Sequence, residues 1–208
     1  MQLRQPIRDL LLAVWTCEPG RIAAELPEGL APLTAGGRAV VALAAFRNRP
    51  ARLGLLPVPP YAEIDVRTFV VDRDGSSAVF VFDFYVPAVG LAASPFGVPV
   101  HLARINVSRG TVGASGIGVA ARYTVAGPAV PGDLDTALAT HPAAYWVKNR
   151  RLLRMDGGHH GAAWHEAELG AGARFEPAAR FDLDPARPDR ALYAERAALR
   201  ATLPARRA

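Results

Sequence analysis

The sequence predicts a mainly β chain of the α+β class: an antiparallel sheet or barrel with a few peripheral helices. Three observations carry that expectation. Residues 61–71 alternate strictly between apolar and polar side chains, the period of a half-buried strand. Residues 78–86 repeat an alternating pattern directly after Asp-Arg-Asp-Gly, a hairpin turn. Gly and Pro, 19 and 18 of 208 residues, punctuate the chain so often that long helices have little room.

Taken in order, Arg8 to Trp15 is an apolar lead-in, either a strand or a short helix. Arg21 to Leu26 suits a short helix closed by Pro27 and Gly29. Residues 36–47 start at a Gly-Gly turn and continue as a buried strand. Four prolines within residues 48–60 predict a loop. The strand at 61–71 then points Ile64, Val66, Thr68 and Val70 one way and Glu63, Asp65 and Arg67 the other. Its partner sets Phe80, Phe82 and Phe84 on one face and Val79, Val81, Asp83 and Tyr85 on the other. Residues 87–97 leave room for one helical turn. The strand "PFGVPVHLARINV" (95–107) carries a lone histidine, His101.

Residues 109–127 are Gly-rich and β-branched, so strands and turns; they lack the spacing and the following helix of a phosphate-binding loop. Residues 133–140 and 142–149 read as helices, with Asp133 and His141 as caps and Pro142 in a first turn. Strands at 150–155 and 162–169 flank a Gly-Gly turn. Residues 188–203 read as a terminal helix, with Leu192 and Leu199 two turns apart on one side. No internal repeat or long linker divides the chain. A single domain is expected over residues 1–185, followed by a basic helix or tail over 186–208.

The net charge of +5 is concentrated. Residues 185–208 hold six arginines against Asp189 and Glu195, a net +4. A body left near neutrality argues against specific nucleic-acid binding. Lys148 is the only lysine in the sequence. One cysteine, Cys17, excludes an internal disulfide and fits a reducing compartment. The first apolar run is too short for a signal peptide, and no stretch approaches the ~20 residues of a membrane span. The expectation is a cytoplasmic protein with no membrane partner.

Four places carry candidate chemistry. Glu63, Asp65 and Arg67 share a strand face at steps of about 6.6 Å; lining a cavity, Glu63 and Arg67 would hold an anionic or carbonyl ligand, and facing water they would be a solvated stripe. Asp83 needs a partner if buried, and Arg67 on the neighbouring strand is the candidate. His101 is a side chain of the type that serves in proton transfer, although a hydrogen-bonded core or rim histidine is the plainer reading. Arg104, on the opposite parity, could bind a carboxylate bidentately or face outward. His159, His160 and His165 lack a zinc-like spacing and a cysteine, so no metal site is expected. Trp164 reads as a packing residue.

"LPEGLAPLTAGGRAVVALAAFR", "PPYAEIDVRTFV" and "FGVPVHLARI", in that order, resemble the YqjF-like proteins, an uncharacterised bacterial family allied to acetoacetate decarboxylase. "YWVKNRRLL", the His159-His160 pair and Trp164 are similar to its C-terminal half, so the resemblance spans about Trp15 to Pro177. It implies a cone-like antiparallel β-barrel with an internal cavity, and allows a homo-oligomer. In the decarboxylase, a Gly-aromatic-Pro-Lys-Lys-Leu-Ala segment supplies a lysine that forms a Schiff base, activated by the lysine beside it. Here Gly97, Pro99, Leu102 and Ala103 match, while Val100 and His101 stand at the two lysine positions. Tyr61-Ala62-Glu63 resembles the segment bearing that enzyme's catalytic glutamate.

The resemblance therefore implies a barrel that binds a small carboxylate or carbonyl compound without Schiff-base chemistry and without a cofactor. Glu63 and His101 are the catalytic candidates, with Arg67, Asp83 and Arg104 as ligand contacts. An acid–base enzyme (hydratase, isomerase or non-imine decarboxylase) and a structural or partner-binding protein with a filled barrel stand as alternatives.

Overall fold

The computed structural model describes residues 2–53, 56–90, 98, 100–130, 132, 134, 141–203 and 205–208. Its long strands are β1 (Gln2–Cys17), β2 (Arg38–Asn48), β3 (Tyr61–Asp72), β4 (Ser77–Val86), β5 (Val119–Pro128), β6 (Ala143–Lys148), β7 (Arg151–His160), β8 (His165–Leu169) and β9 (Arg190–Thr202). Among the described residues, the α-helix is the short α1 (Pro19–Ala23) after β1, and 3-10 turns lie at Ser115–Ile117 and Glu176–Phe181.

Seven of these strands pair in a ring. The order runs β1, β2, β3, β4, β6, β7, β9 and back to β1. Each seam is antiparallel except β4–β6, where Ala144 and Tyr145 lie beside Val79 and Phe80 in parallel. The expected barrel is thus present as a ring of strands. A side sheet branches from β9 through β8 and β5 to the short strands Thr111–Ala114 and Asn106–Ser108.

The side sheet explains why β2 reads as an unbroken apolar run. One face of β1 and β2 (Leu11, Ala13, Trp15, Val41, Leu43) packs against the side sheet in the outer core. The other face (Leu10, Leu12, Ala42, Phe46) points into the ring with Phe69 and Leu192. Strands covered on both faces need hydrophobic residues at every position.

Several elements depart from the expectations. The lead-in at 8–15 is a strand. The proline-rich segment is not wholly a loop, because Ala51–Leu53 pairs with Leu56–Val58. Residues 143–148 form β6 instead of a helix and turn into β7 through Asn149 and Arg150, both at positive φ, the backbone of a two-residue hairpin. The helix expected at 133–140 lies largely outside the described residues. The strand expected at 95–107 is two short ones, Val100–Leu102 and Asn106–Ser108.

The terminal helix expected at 188–203 is strand β9, paired with β1 over twelve residue pairs. Its Ala, Leu and Arg content favours helix, but pairing with β1 on one side and with β7 and β8 on the other, and burial of residues 191–194 on both faces, override propensity. The helix-like spacing of Leu192 and Leu199 has its own cause. Asp9, at φ 52°, kinks β1 opposite Glu195, and the side-chain alternation reverses there. Leu192 and Leu199 therefore reach the same interior from an odd spacing.

Gly157 and Gly158 do not form a turn either; β7 runs through them. At that point β7 leaves β6 and joins β9. A Cβ on Gly157 would sit 2.0 Å from the Arg200 carbonyl oxygen, and one on Gly158 would sit 2.1 Å from that of His141. Only glycine permits this approach. The crossing closes the ring and delivers His159 to its inside. Among the described residues, no helix is long and apolar enough to cross a membrane.

Candidate active site

All seven ring strands contribute to an internal chamber of about 480 Å³. Its polar lining is Glu63, Asp65, Arg67, His141, His159 and His160, set among aliphatic and aromatic walls. The partly exposed Ala129, Gly161, Ala162 and Trp164 border it, joined by the Ala129 N–H donating to the Trp164 carbonyl at 3.0 Å. The acidic-then-basic face of β3 thus lines an interior, not a wet sheet surface. Its opposite face supplies Ile64 and Val66 to the outer core.

Asp65 and Arg67 form a two-pronged ion pair along the strand. Arg67 donates from Nε to Asp65 Oδ1 and from Nη2 to Oδ2, each at 2.5 Å. The third contact runs from Arg67 Nη1 to His159 Nδ1 at 3.3 Å. A guanidinium only donates, so Nδ1 accepts and the imidazole proton belongs on Nε2. Burial first, then Arg67 and His160, push the His159 pKa down to about 3. His159 is a neutral donor near pH 7. The pair and the imidazole use three of the five guanidinium N–H groups, leaving two for a ligand.

One strand step away, Glu63 Oε2 accepts from Asn48 Nδ2 at 2.9 Å. Burial, reinforced by the Asp65 charge, raises the Glu63 pKa to about 7, against the opposing pull of Asn48, Arg67 and Tyr61. The Tyr61 hydroxyl is bonded to the same carboxyl and is held protonated, chiefly by burial. Burial likewise lifts Asp65 above the usual carboxylate range, with Arg67 pulling it down. A carboxyl poised near neutrality beside a fixed cation and a neutral imidazole donor can exchange a proton with a bound molecule. Among the described residues, no cluster of three or more metal-ligating side chains is present.

The other candidates lie elsewhere. Asp83 does not pair with Arg67. Opposite β3, Val66 faces Asp83 while Arg67 faces Val81, so Phe82 is the extra residue of a bulge in β4. The alternation breaks there: Val79, Val81 and Phe84 turn into the chamber, and Asp83 turns out toward Arg180 (3.4 Å) and His101 (3.3 Å). His101 is more than half exposed and lies on the outer face beside Tyr85. Arg104 is exposed beyond the end of Val100–Leu102, where strand parity no longer applies. Val100, at the first lysine position of the resemblance, does face inward and shares a small cavity with Glu63. Lys148 is not among the residues lining either cavity.

Sequence reasoning weighed His159 only as a metal ligand and passed over Asn48. The double glycine before His159-His160 was the available signal, since adjacent glycines inside an extended segment mark a close backbone crossing.

The sequence profile of DUF2071, described as an uncharacterised conserved protein, matches residues 4–198. No curated protein sequence matches the chain. Solved structures share the architecture at low identity. An acetoacetate decarboxylase-like enzyme from Sphingomonas wittichii RW1 is 16% identical, covers 99% of this chain and 93% of its own, and superposes with a TM-score of 0.60. Acetoacetate decarboxylase from Legionella pneumophila is 15% identical over 99% of this chain and 87% of its own, at TM-score 0.63. MppR, an enduracididine biosynthesis enzyme complexed with pyruvate, is 14% identical over 99% and 90%, at TM-score 0.56. At these identities the likeness establishes the acetoacetate decarboxylase-like fold.

Proposed function

This chain belongs to the DUF2071 family, and we propose that its chamber binds a small organic acid bearing a carbonyl group, with Glu63 as the proton-transferring residue. One observation carries the reading: the row Glu63, Asp65, Arg67 on β3, its Asp65 and Arg67 buried and its Glu63 partly so, is completed by His159 from β7 and lines a closed ring of strands. Arg67 meets the carboxylate with its remaining N–H groups. His159 Nε2–H and the protonated Glu63 polarise the carbonyl oxygen. Above its pKa, Glu63 serves instead as a base toward a carbon acid. A structural neighbour that holds pyruvate gives the ligand class a precedent on this fold.

Covalent imine chemistry is left out of this reading, because the only lysine, Lys148, is not a lining residue and Val100 stands where the resemblance puts the nucleophile. The test is calorimetric titration with pyruvate and acetoacetate at pH 6 and pH 8, followed by borohydride treatment and mass spectrometry. Saturable binding, weaker at pH 8, with unchanged protein mass is the expected result. An adduct on Lys148, or no binding of either acid, overturns the reading.

A further inference from the structure

Glu63 lines two cavities. On its far side from Arg67 lies a second one of about 110 Å³, walled by Leu3, Val58, Val86, Val98, Val100 and Leu203. Glu63, Phe84, Met155 and Leu199 line both spaces and form the partition between them. The polar groups at the small cavity are engaged: Gln5 Nε2 donates to the Arg49 carbonyl at 2.9 Å, and the Tyr61 hydroxyl is bonded to Glu63. What remains is an apolar space beside a carboxyl, separated from the polar chamber by side chains that include an unbranched, adaptable methionine.

We propose that the two cavities are one bipartite site, and that the substrate class is an oxo acid with a short aliphatic chain. The carboxylate and carbonyl sit at Arg67 and His159, and the chain passes Glu63 into the cavity under Val100. This inference rests on the proposed function. At the ~30 Å³ that a water occupies in the liquid, the small cavity holds roughly three or four heavy atoms. Pyruvate leaves it empty, whereas a longer chain fills it. Val100 is then a specificity residue: where the resemblance implies a lysine, this chain uses the same inward position to make an apolar wall.

The experiment is calorimetric titration of the full chain with the straight-chain 2-oxo acids from pyruvate to 2-oxodecanoate, repeated with Val100→Phe. The expected result is a gain of about fourfold in affinity per added methylene, the ratio equivalent to about 0.8 kcal/mol. The series should peak at a tail of about four to six carbons, then fall as the chain outgrows the space. In Val100→Phe the preference for 2-oxohexanoate over pyruvate should collapse toward one. Pyruvate binding with a flat or falling wild-type series overturns the inference and leaves the proposed function standing. A rising series that Val100→Phe does not alter overturns it too, by placing the chain within the larger chamber. Failure of every acid to bind sinks the proposed function, and this inference with it. If Val100→Phe does not fold, the smaller intrusion Val100→Leu takes its place: it should move the optimum to a shorter chain, and an unmoved optimum overturns the inference.

Discussion

Two buried aspartates each hold an arginine, and their surroundings separate them. Asp9, at the kink of β1, accepts from Arg47 and from the Tyr193 hydroxyl (3.0 Å), amid packed side chains. Asp65 accepts both prongs of Arg67 at the wall of a chamber. The first cluster pins a positive-φ residue and keeps β1, β2 and β9 in place. The second leaves guanidinium N–H groups facing space. Identical residue types therefore divide into a fastener and, on the proposed reading, a receptor, and cavity contact is what tells them apart.

The contrast can be broken by mutation, beginning with the largest effect. Asp9→Ala strands the Tyr193 hydroxyl and removes the kink's anchor; urea unfolding should show a loss of about 3 kcal/mol, with affinity for pyruvate retained in whatever fraction folds. Next comes pH. The folded pKa of Glu63, about 7, lies above its ordinary 4.5, so the folded state holds more protons between those values. Stability should thus be greatest below pH 4.5 as far as this group is concerned, falling by up to about 3 kcal/mol as pH rises through 7. Glu63→Gln should flatten that slope in pH-dependent denaturation curves.

Arg67→Met sharpens the comparison from the receptor side. Affinity for pyruvate should drop by about 30-fold, as expected for a lost charged hydrogen bond of about 2 kcal/mol, and calorimetry reads it directly. The smallest effect belongs to His101→Ala. This exposed side chain, facing Asp83 away from the chamber, should alter stability by less than about 0.5 kcal/mol and leave binding unchanged; a large loss of binding would relocate the site.

What was legible in the sequence followed the local rules. The β3 row was readable because alternation with period two survives along an unbroken strand, and Tyr61-Ala62-Glu63 gave it a chemical direction. Asp83 was misplaced because the bulge at Phe82 reverses parity, and nothing in Val-Phe-Asp-Phe marks that position. His101 drew notice as a titratable residue in an apolar strand, yet parity turns Val100 inward and His101 outward. β9 was hidden by its composition and by a kink that originates in another strand, at Asp9. His159 was invisible as a site residue because its role depends on β7 changing partners at Gly157, a tertiary event.

That β9 closes against β1 has a consequence for how the protein is made. Strand pairings such as Leu12 with Leu192 join segments far apart along the chain, and such contacts form slowly. A ribosome must release residues 190–202 before the ring and its chamber can close. A metabolite cannot template earlier stages of folding, and its capture would report that maturation is complete.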